Sequence, residues 1–169
     1  MTKDAALSLD EFLSALPKSS RLIGLDLGTK TIGLALSDLG RGIATPLDTI
    51  RRKKFTQDAE QLIGICKTHH VGGLVMGLPL NMDGTEGPRA QATRSFVRNL
   101  SQKTEIPVTY WDERLSTAAV TRTLIEADSS RAKRASVVDK MAAAYILQGF
   151  LDRLGHMSPA DHTHFDDPA

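Results

Sequence analysis

Residues 21–38, reading RLIGLDLGTKTIGLALSD, constrain the fold of this chain more than any other stretch. Two runs of strand length flank Gly28, Thr29 and Lys30, a pattern that predicts a β-hairpin. Side chains alternate along a strand, so Ile23, Leu25 and Leu27 share one face and Gly24, Asp26 and Gly28 the other. The second run splits the same way, with Ile32, Leu34 and Leu36 opposite Thr31, Gly33, Ala35 and Ser37. One face is thick and apolar; the other is nearly bare around a single carboxylate. Glycine within a strand marks a place where a backbone or a ligand comes close, and a central strand disfavours aspartate unless something holds it. Asp26 on such a floor suits a metal ion with a phosphate above it.

Downstream of the hairpin the pattern alternates. Residues 43–50 read as a third strand whose Pro46 suits an edge, and residues 55–70 as a helix with Ala59, Leu62, Ile63 and Cys66 on one side. His69 and His70 fall in its last turn, where a cation complements the helix dipole. The apolar run 72–78, GGLVMGL, predicts a strand buried on both faces. The polar loop 79–88 follows it directly, and loops leaving the carboxyl ends of parallel strands are where α/β proteins place their sites. A helix over 89–101, a strand over 107–113, a helix over 115–127 and a last core helix over 136–151 complete the order. Three antiparallel strands followed by alternating helices and strands predict a mixed α/β sheet with helices on both faces.

The flanks read differently. Residues 4–16 space Leu9, Phe12, Leu13 and Leu16 helically and stop at Pro17, predicting a short helix outside the main core. Residues 152–169 are rich in His, Asp and Pro and read as a mobile tail, His162 and His164 included. Two basic runs, 51–54 and 128–134, read as loops; the first is a solvated loop or a phosphate contact.

At 169 residues the chain is large enough for one domain with a real core. Its net charge of +1 does not decide for or against nucleic acid, because a local basic patch can hide in a neutral total. The single Cys66 excludes an internal disulfide and fits a reducing compartment. No apolar run is long enough to span a membrane, and acids near the N-terminus argue against export, so a cytoplasmic protein is expected.

Two further acids lie where such a sheet could bring them near Asp26. The fifth strand ends in Trp111-Asp112-Glu113-Arg114, one acid at each parity, so either Asp112 or Glu113 can face Asp26. In the last helix Asp139 shares a face with Ala142, Ala143 and Ile146, small enough to let the helix lie close to the sheet. Asp139 also stands three residues after Ser136, the spacing of a capping box, and Glu113 and Arg114 could form a mere surface pair. Clustered hard oxygen ligands suit Mg²⁺ or Mn²⁺ rather than zinc. Two such ions about 4 Å apart clamp the attacking and leaving oxygens of a phosphodiester.

At these residues the chain resembles the YqgF family, also called RuvX, of RNase H-like proteins. The resemblance rests on GLDLGTKTIGLALSD, GLPLNMDGTEG, WDERLST and SVVDKMAAAYILQGFLD, in the family's order, over roughly residues 21–151. It implies an RNase H-like domain at 21–152; the helical extension at 1–20 and the tail at 153–169 lie outside the match. It also implies a divalent-metal-dependent nuclease that processes the 5′ end of pre-16S ribosomal RNA, with the ribosome or its precursors as partners, or a Holliday junction resolvase acting on branched DNA. Asp26, Glu113 and Asp139 take the places of the family's catalytic, metal-holding acids, with Asp112 the alternative to Glu113. Lys30, Arg114, Arg131, Lys133 and Arg134 are the expected phosphate contacts, and the loop that includes Asn81 would shape access. RuvC resolvases carry a fourth acid three residues before the last; here that position is Ser136.

Two other classes stay in view. The actin and sugar-kinase superfamily opens with a similar D-x-G-T hairpin but needs two such domains around its nucleotide. A non-catalytic module binding RNA or protein during ribosome maturation would use the same basic loops. Monomer and homodimer both fit the sequence.

Overall fold

The opening hairpin forms the middle of a five-stranded sheet. In this computed structural model, residues 5–115 and 131–157 are described, the backbone alone over 131–138. The hairpin strands are β1 (Arg21–Leu27) and β2 (Thr31–Ser37), followed by β3 (Ala44–Arg51), β4 (Val71–Leu78) and β5 (Val108–Asp112). Among the described residues four helices accompany them: α1 (Leu9–Ala15), α2 (Phe55–Thr68), α3 (Pro88–Leu100) and α4 (Arg131–Gly155). The strand order is β3-β2-β1-β4-β5, with β1–β2 and β2–β3 antiparallel and β1–β4 and β4–β5 parallel. The expected mixed α/β sheet is therefore the one observed, and Asp26 sits on its central strand. Pro46 lies on the edge strand as expected, where a register shift opposite Leu34 and Ala35 absorbs it.

Alternation along β1 and β2 divides the interior in two. Ile23, Leu25, Ile32 and Leu34 meet Leu62 and Cys66 of α2 and Phe96 and Leu100 of α3. On the reverse face Leu22, Ala35 and Val75 meet Phe12 of α1 and Ala143, Ile146, Leu147 and Phe150 of α4. Each buried Leu or Ile removed from water contributes about 1.5–3 kcal/mol.

Of the two close approaches that the glycines around Asp26 allow, a backbone is the one observed: α4 lies over them. A Cβ on Gly24 would stand 2.6 Å from the Leu147 Cβ and 2.9 Å from the Ala143 carbonyl oxygen, and one on Gly33 would overlap the Asp139 carbonyl. One on Gly77 would meet the Ile146 Cδ1 at 2.5 Å. These glycines exist so that a helix backbone can rest on the sheet, and the small Ala142 and Ala143 complete the close fit.

Four further expectations change. The N-terminal helix is part of the core: Phe12 is fully buried, edge-to-face with Phe150 at 5.7 Å, and Ser8 and Glu11 close a capping box at the helix start. A segment with a helical apolar stripe docks wherever a matching groove exists, and Gly73 provides one against Phe12 and Leu16. The last helix begins at Arg131, so Arg131, Lys133 and Arg134 lie on its first turn rather than in a loop, and Asp139 lies too deep in the helix to serve a capping box. The second helix ends at Thr68, leaving His69 as its cap and His70 at φ 55° outside it. Of the helix expected over 115–127, only Leu115 is described, in a 3-10 turn spanning Glu113–Leu115; the rest, like the tail from 158 onward, lies outside the described residues. Among the described residues no helix is long and apolar enough to cross a membrane.

Candidate active site

The acids gather at the carboxyl end of β1, on the face that α4 covers. Asp26 is 2% exposed and pairs in register with Gly33 of β2. Gly33 is the residue on which the Asp139 backbone rests, so α4 delivers Asp139 to the neighbouring strand beside Asp26. The Asp139 Oδ2 accepts a hydrogen bond from the Thr31 hydroxyl and stands 3.6 Å from where a Gly28 Cβ would be. On the other flank, Leu25 is level with Met76, so the next residues, Asp26 and Gly77, stand side by side. The Glu113 Cγ lies 3.3 Å from a Cβ placed on Gly77, and Glu113 is 4% exposed. The three carboxylates thus form a row across β2, β1 and β4: Asp139, Asp26, Glu113.

The choice between Asp112 and Glu113 as Asp26's neighbour is settled by position. Trp111 packs edge-to-face on Phe150 of α4, so alternation turns Asp112 away from that face. Asp112 is bound to Arg114 at 2.6 Å, and this hydrogen bond holds its carboxyl below the usual carboxylate range. Glu113 begins the 3-10 turn beyond the strand, which carries its side chain back over Gly77.

The donor chemistry fits a hard divalent cation. Two deeply buried carboxylates and a third oriented by a hydroxyl are oxygen donors of the kind Mg²⁺ and Mn²⁺ take. The row is open rather than a closed cage: among the described residues, no three His, Cys, Asp or Glu side chains form a ready-made cluster. Mg²⁺ commonly binds in that manner, through one or two carboxylates with water and substrate phosphate supplying the rest. Burying two acids such as Asp26 and Glu113 is costly, and such cost concentrates at functional sites.

The expected phosphate contacts are scattered around this row. Lys30 is exposed on the hairpin turn, where its carbonyl accepts from the Arg52 N–H at 2.8 Å. Asn81 builds its own loop, with its amide on the Thr85 hydroxyl at 2.9 Å and its N–H on the Thr85 carbonyl. Arg114 links Asp112 to the Met82 carbonyl at 3.3 Å and so ties loop 79–88 to the end of β5. Within that loop the Thr85 hydroxyl holds the Asp83 carboxyl below its ordinary range. Arg131, Lys133 and Arg134 enter α4 at its first turn, beyond the residues with described side chains.

Three residues near the acids were not assigned roles in the site from sequence. Thr31 orients Asp139; its place on the sparse face of β2 was the available signal. Arg52, read only as one of a basic run, donates to the Gly28 carbonyl at 2.6 Å. Arg89 reaches the Leu27 carbonyl at 3.4 Å from the first turn of α3. Its position directly after the β4 loop could have pointed to it.

Comparison with known proteins adds to this geometry. The RuvX family, described as Holliday junction resolvase, matches residues 20–153. A protein of Paramagnetospirillum magneticum named "Putative pre-16S rRNA nuclease" is 68% identical over 142 residues, covering 84% of this chain and 92% of that protein. One of the same name from Cereibacter sphaeroides is 65% identical over 147 residues, covering 87% and 92%. Among solved structures, Thermus thermophilus RuvC in complex with a Holliday junction substrate covers 82% of this chain and 98% of its own at 11% identity, with a TM-score of 0.50. The yeast mitochondrial Holliday junction resolvase Ydc2 covers 92% and 85% at 13% identity, also with a TM-score of 0.50. At such identities these two structures share the fold.

Proposed function

The chain belongs to the RuvX family, and from that premise we propose that it is a divalent-metal-dependent nuclease that hydrolyses a phosphodiester at the 5′ end of pre-16S ribosomal RNA. The observation that carries this reading is the row formed by Asp139 of α4, Asp26 of β1 and Glu113 of the turn after β5, set over adjacent strands. The names of the relatives support the RNA substrate.

Asp26, Glu113 and Asp139 are the residues that would hold Mg²⁺ or Mn²⁺. When bound, the ion supplies Lewis-acid stabilisation of the charge that builds on the phosphodiester oxygens. The chain's own part is preorganisation. Thr31 fixes the Asp139 carboxylate, the glycines let α4 lie close, and the buried setting keeps bulk water from the acids. Lys30, Arg114, Arg131, Lys133 and Arg134 are assigned to backbone phosphates, contacts that position a strand without reading its sequence. The loop bearing Asn81, tied down by Arg114, sets the approach to β4's carboxyl end. The catalytic unit is residues 21–152, and a reducing, cytoplasmic setting with precursor ribosomes as partners suits the substrate.

A second reading, resolution of branched DNA, is favoured by the description of the family and by the RuvC-like fold. Resolvases cut symmetric strands and need a two-fold dimer. The test is cleavage by purified protein with Mg²⁺ or Mn²⁺, offered precursor RNA spanning the 16S 5′ end or a four-way DNA junction, beside Asp26→Asn. RNA cleavage lost in the variant upholds the proposal, and junction cleavage alone moves it to the second reading. Binding without cleavage, equal in both proteins, replaces it with a non-catalytic module.

A further inference from the structure

Arg52 and Arg89 approach the carboxyl end of β1 from opposite directions. Arg52 comes from the segment after the edge strand β3 and Arg89 from the first turn of α3. Their guanidinium groups sit on the carbonyls of successive residues, Gly28 at 2.6 Å and Leu27 at 3.4 Å, two and one positions beyond Asp26. Gly28 is also the residue whose Cα faces the Asp139 carboxylate. Both cations therefore sit at the strand end that carries Asp26. Among the described residues, neither makes an ion pair with a carboxylate.

A guanidinium carries five N–H donors in a planar fork, and each of these two spends one on a carbonyl. Capping a strand end needs only one donor, which a lysine or an amide could supply. What remains is two forks with donors to spare at one strand end. That is the chemistry of an oxyanion site, since arginine binds phosphate in bidentate fashion. The exposed Lys30 turn, joined to Arg52 through its carbonyl, extends the same positive edge.

We propose that Arg52 and Arg89 form a clamp for one backbone phosphate of the nucleic-acid strand, adjoining the phosphodiester held at the acids. The clamp rests on the nuclease reading of this site. It places the strand across the β1–β2 turn, between the end of β3 and the start of α3. The contact is to phosphate, so it acts alike on every sequence.

The test is binding of a fluorescein-labelled single-stranded RNA spanning the 16S 5′ junction, by anisotropy in EDTA across a salt series. Arg52→Gln and Arg89→Gln are each expected to weaken binding about tenfold, the loss of a charge-assisted contact. The double variant's plot of log Kd against log salt should be shallower by about 0.7, one phosphate's worth for a single strand. Arg52→Lys with Arg89→Lys keeps both charges and donors for the two carbonyls but loses the planar fork, so it should keep the slope yet bind more weakly. Arg98→Ala, exposed at the far end of α3, should bind as wild type. Unchanged affinity and slope in the Gln and Lys pairs overturn the clamp, as does a wild type that does not bind. Should the Gln pair fail to fold, the Lys pair alone decides, because it retains the contacts to Leu27 and Gly28. Adding Mg²⁺ separates the two proposals. A wild type that binds through the clamp but yields no product refutes the nuclease alone. A Gln pair that cleaves with unchanged KM refutes the clamp alone.

Discussion

The Asp139 carbonyl lies against the Cα of Gly33, leaving no room for a side chain between helix and sheet. Gly33 pairs with Asp26, so this contact fixes the distance between the two acids. Gly33→Ala should therefore lose both stability and activity. An added methyl against backbone cannot be relieved by rotamer change, and about 3 kcal/mol is the expected cost. Gly42→Ala, with open space around it, should stay within about 0.5 kcal/mol of wild type. Urea midpoints and cleavage rates of the two variants check this.

Asp112 and Glu113 should separate cleanly despite being neighbours. Glu113→Gln is expected to abolish cleavage with the fold intact, whereas Asp112→Asn should retain it. The Arg114 hydrogen bond lowers the pKa of Asp112 in the folded state. Its contribution to stability is then complete above the unfolded value of about 3.9 and is lost as pH falls through the lower folded value. Asp112→Asn should flatten that acid limb of a melting-temperature profile, and only slightly, since solvent screens a partly exposed pair. Loss of cleavage in Asp112→Asn with retention in Glu113→Gln would reverse the assignment.

Phe12 should behave as a core residue although it precedes the sheet. Phe12→Ala is expected to cost about 3–5 kcal/mol, from lost burial and the cavity left beside Phe150. A thermal melt unchanged by the substitution would show α1 to be undocked in solution.

Cys66 should be inert in the native protein. Burial pushes its thiol up to about 12, so almost no thiolate is present near neutral pH. Ellman's reagent should react only in denaturant, and rapid native labelling would contradict the packing of α2 on the sheet.

Gly64 offers a gain in stability. It lies exposed in the middle of α2 with nothing near a prospective Cβ. Gly64→Ala should stabilise by about 0.5–1 kcal/mol through helix propensity. A calorimetric scan of the two proteins measures it.

The local pattern was enough to define the hairpin, the two faces of β1 and β2, the buried run of β4 and the edge position of Pro46, because period-two alternation and turn chemistry act over a few residues. The four motifs also identified the family. The partners of those faces were decided by tertiary structure. The glycines around Asp26 announced a close approach, but only packing showed that α4 is what rests on them. Parity left Asp112 and Glu113 equal, since alternation ends where a strand ends, and the 3-10 turn broke the tie. Phe12 and Phe150, or Thr31 and Asp139, meet through chain folding across most of the domain, and no local rule connects residues so far apart in sequence. Side-chain period and backbone propensity are local quantities, whereas a site built across three strands and a helix depends on which surfaces exclude water together.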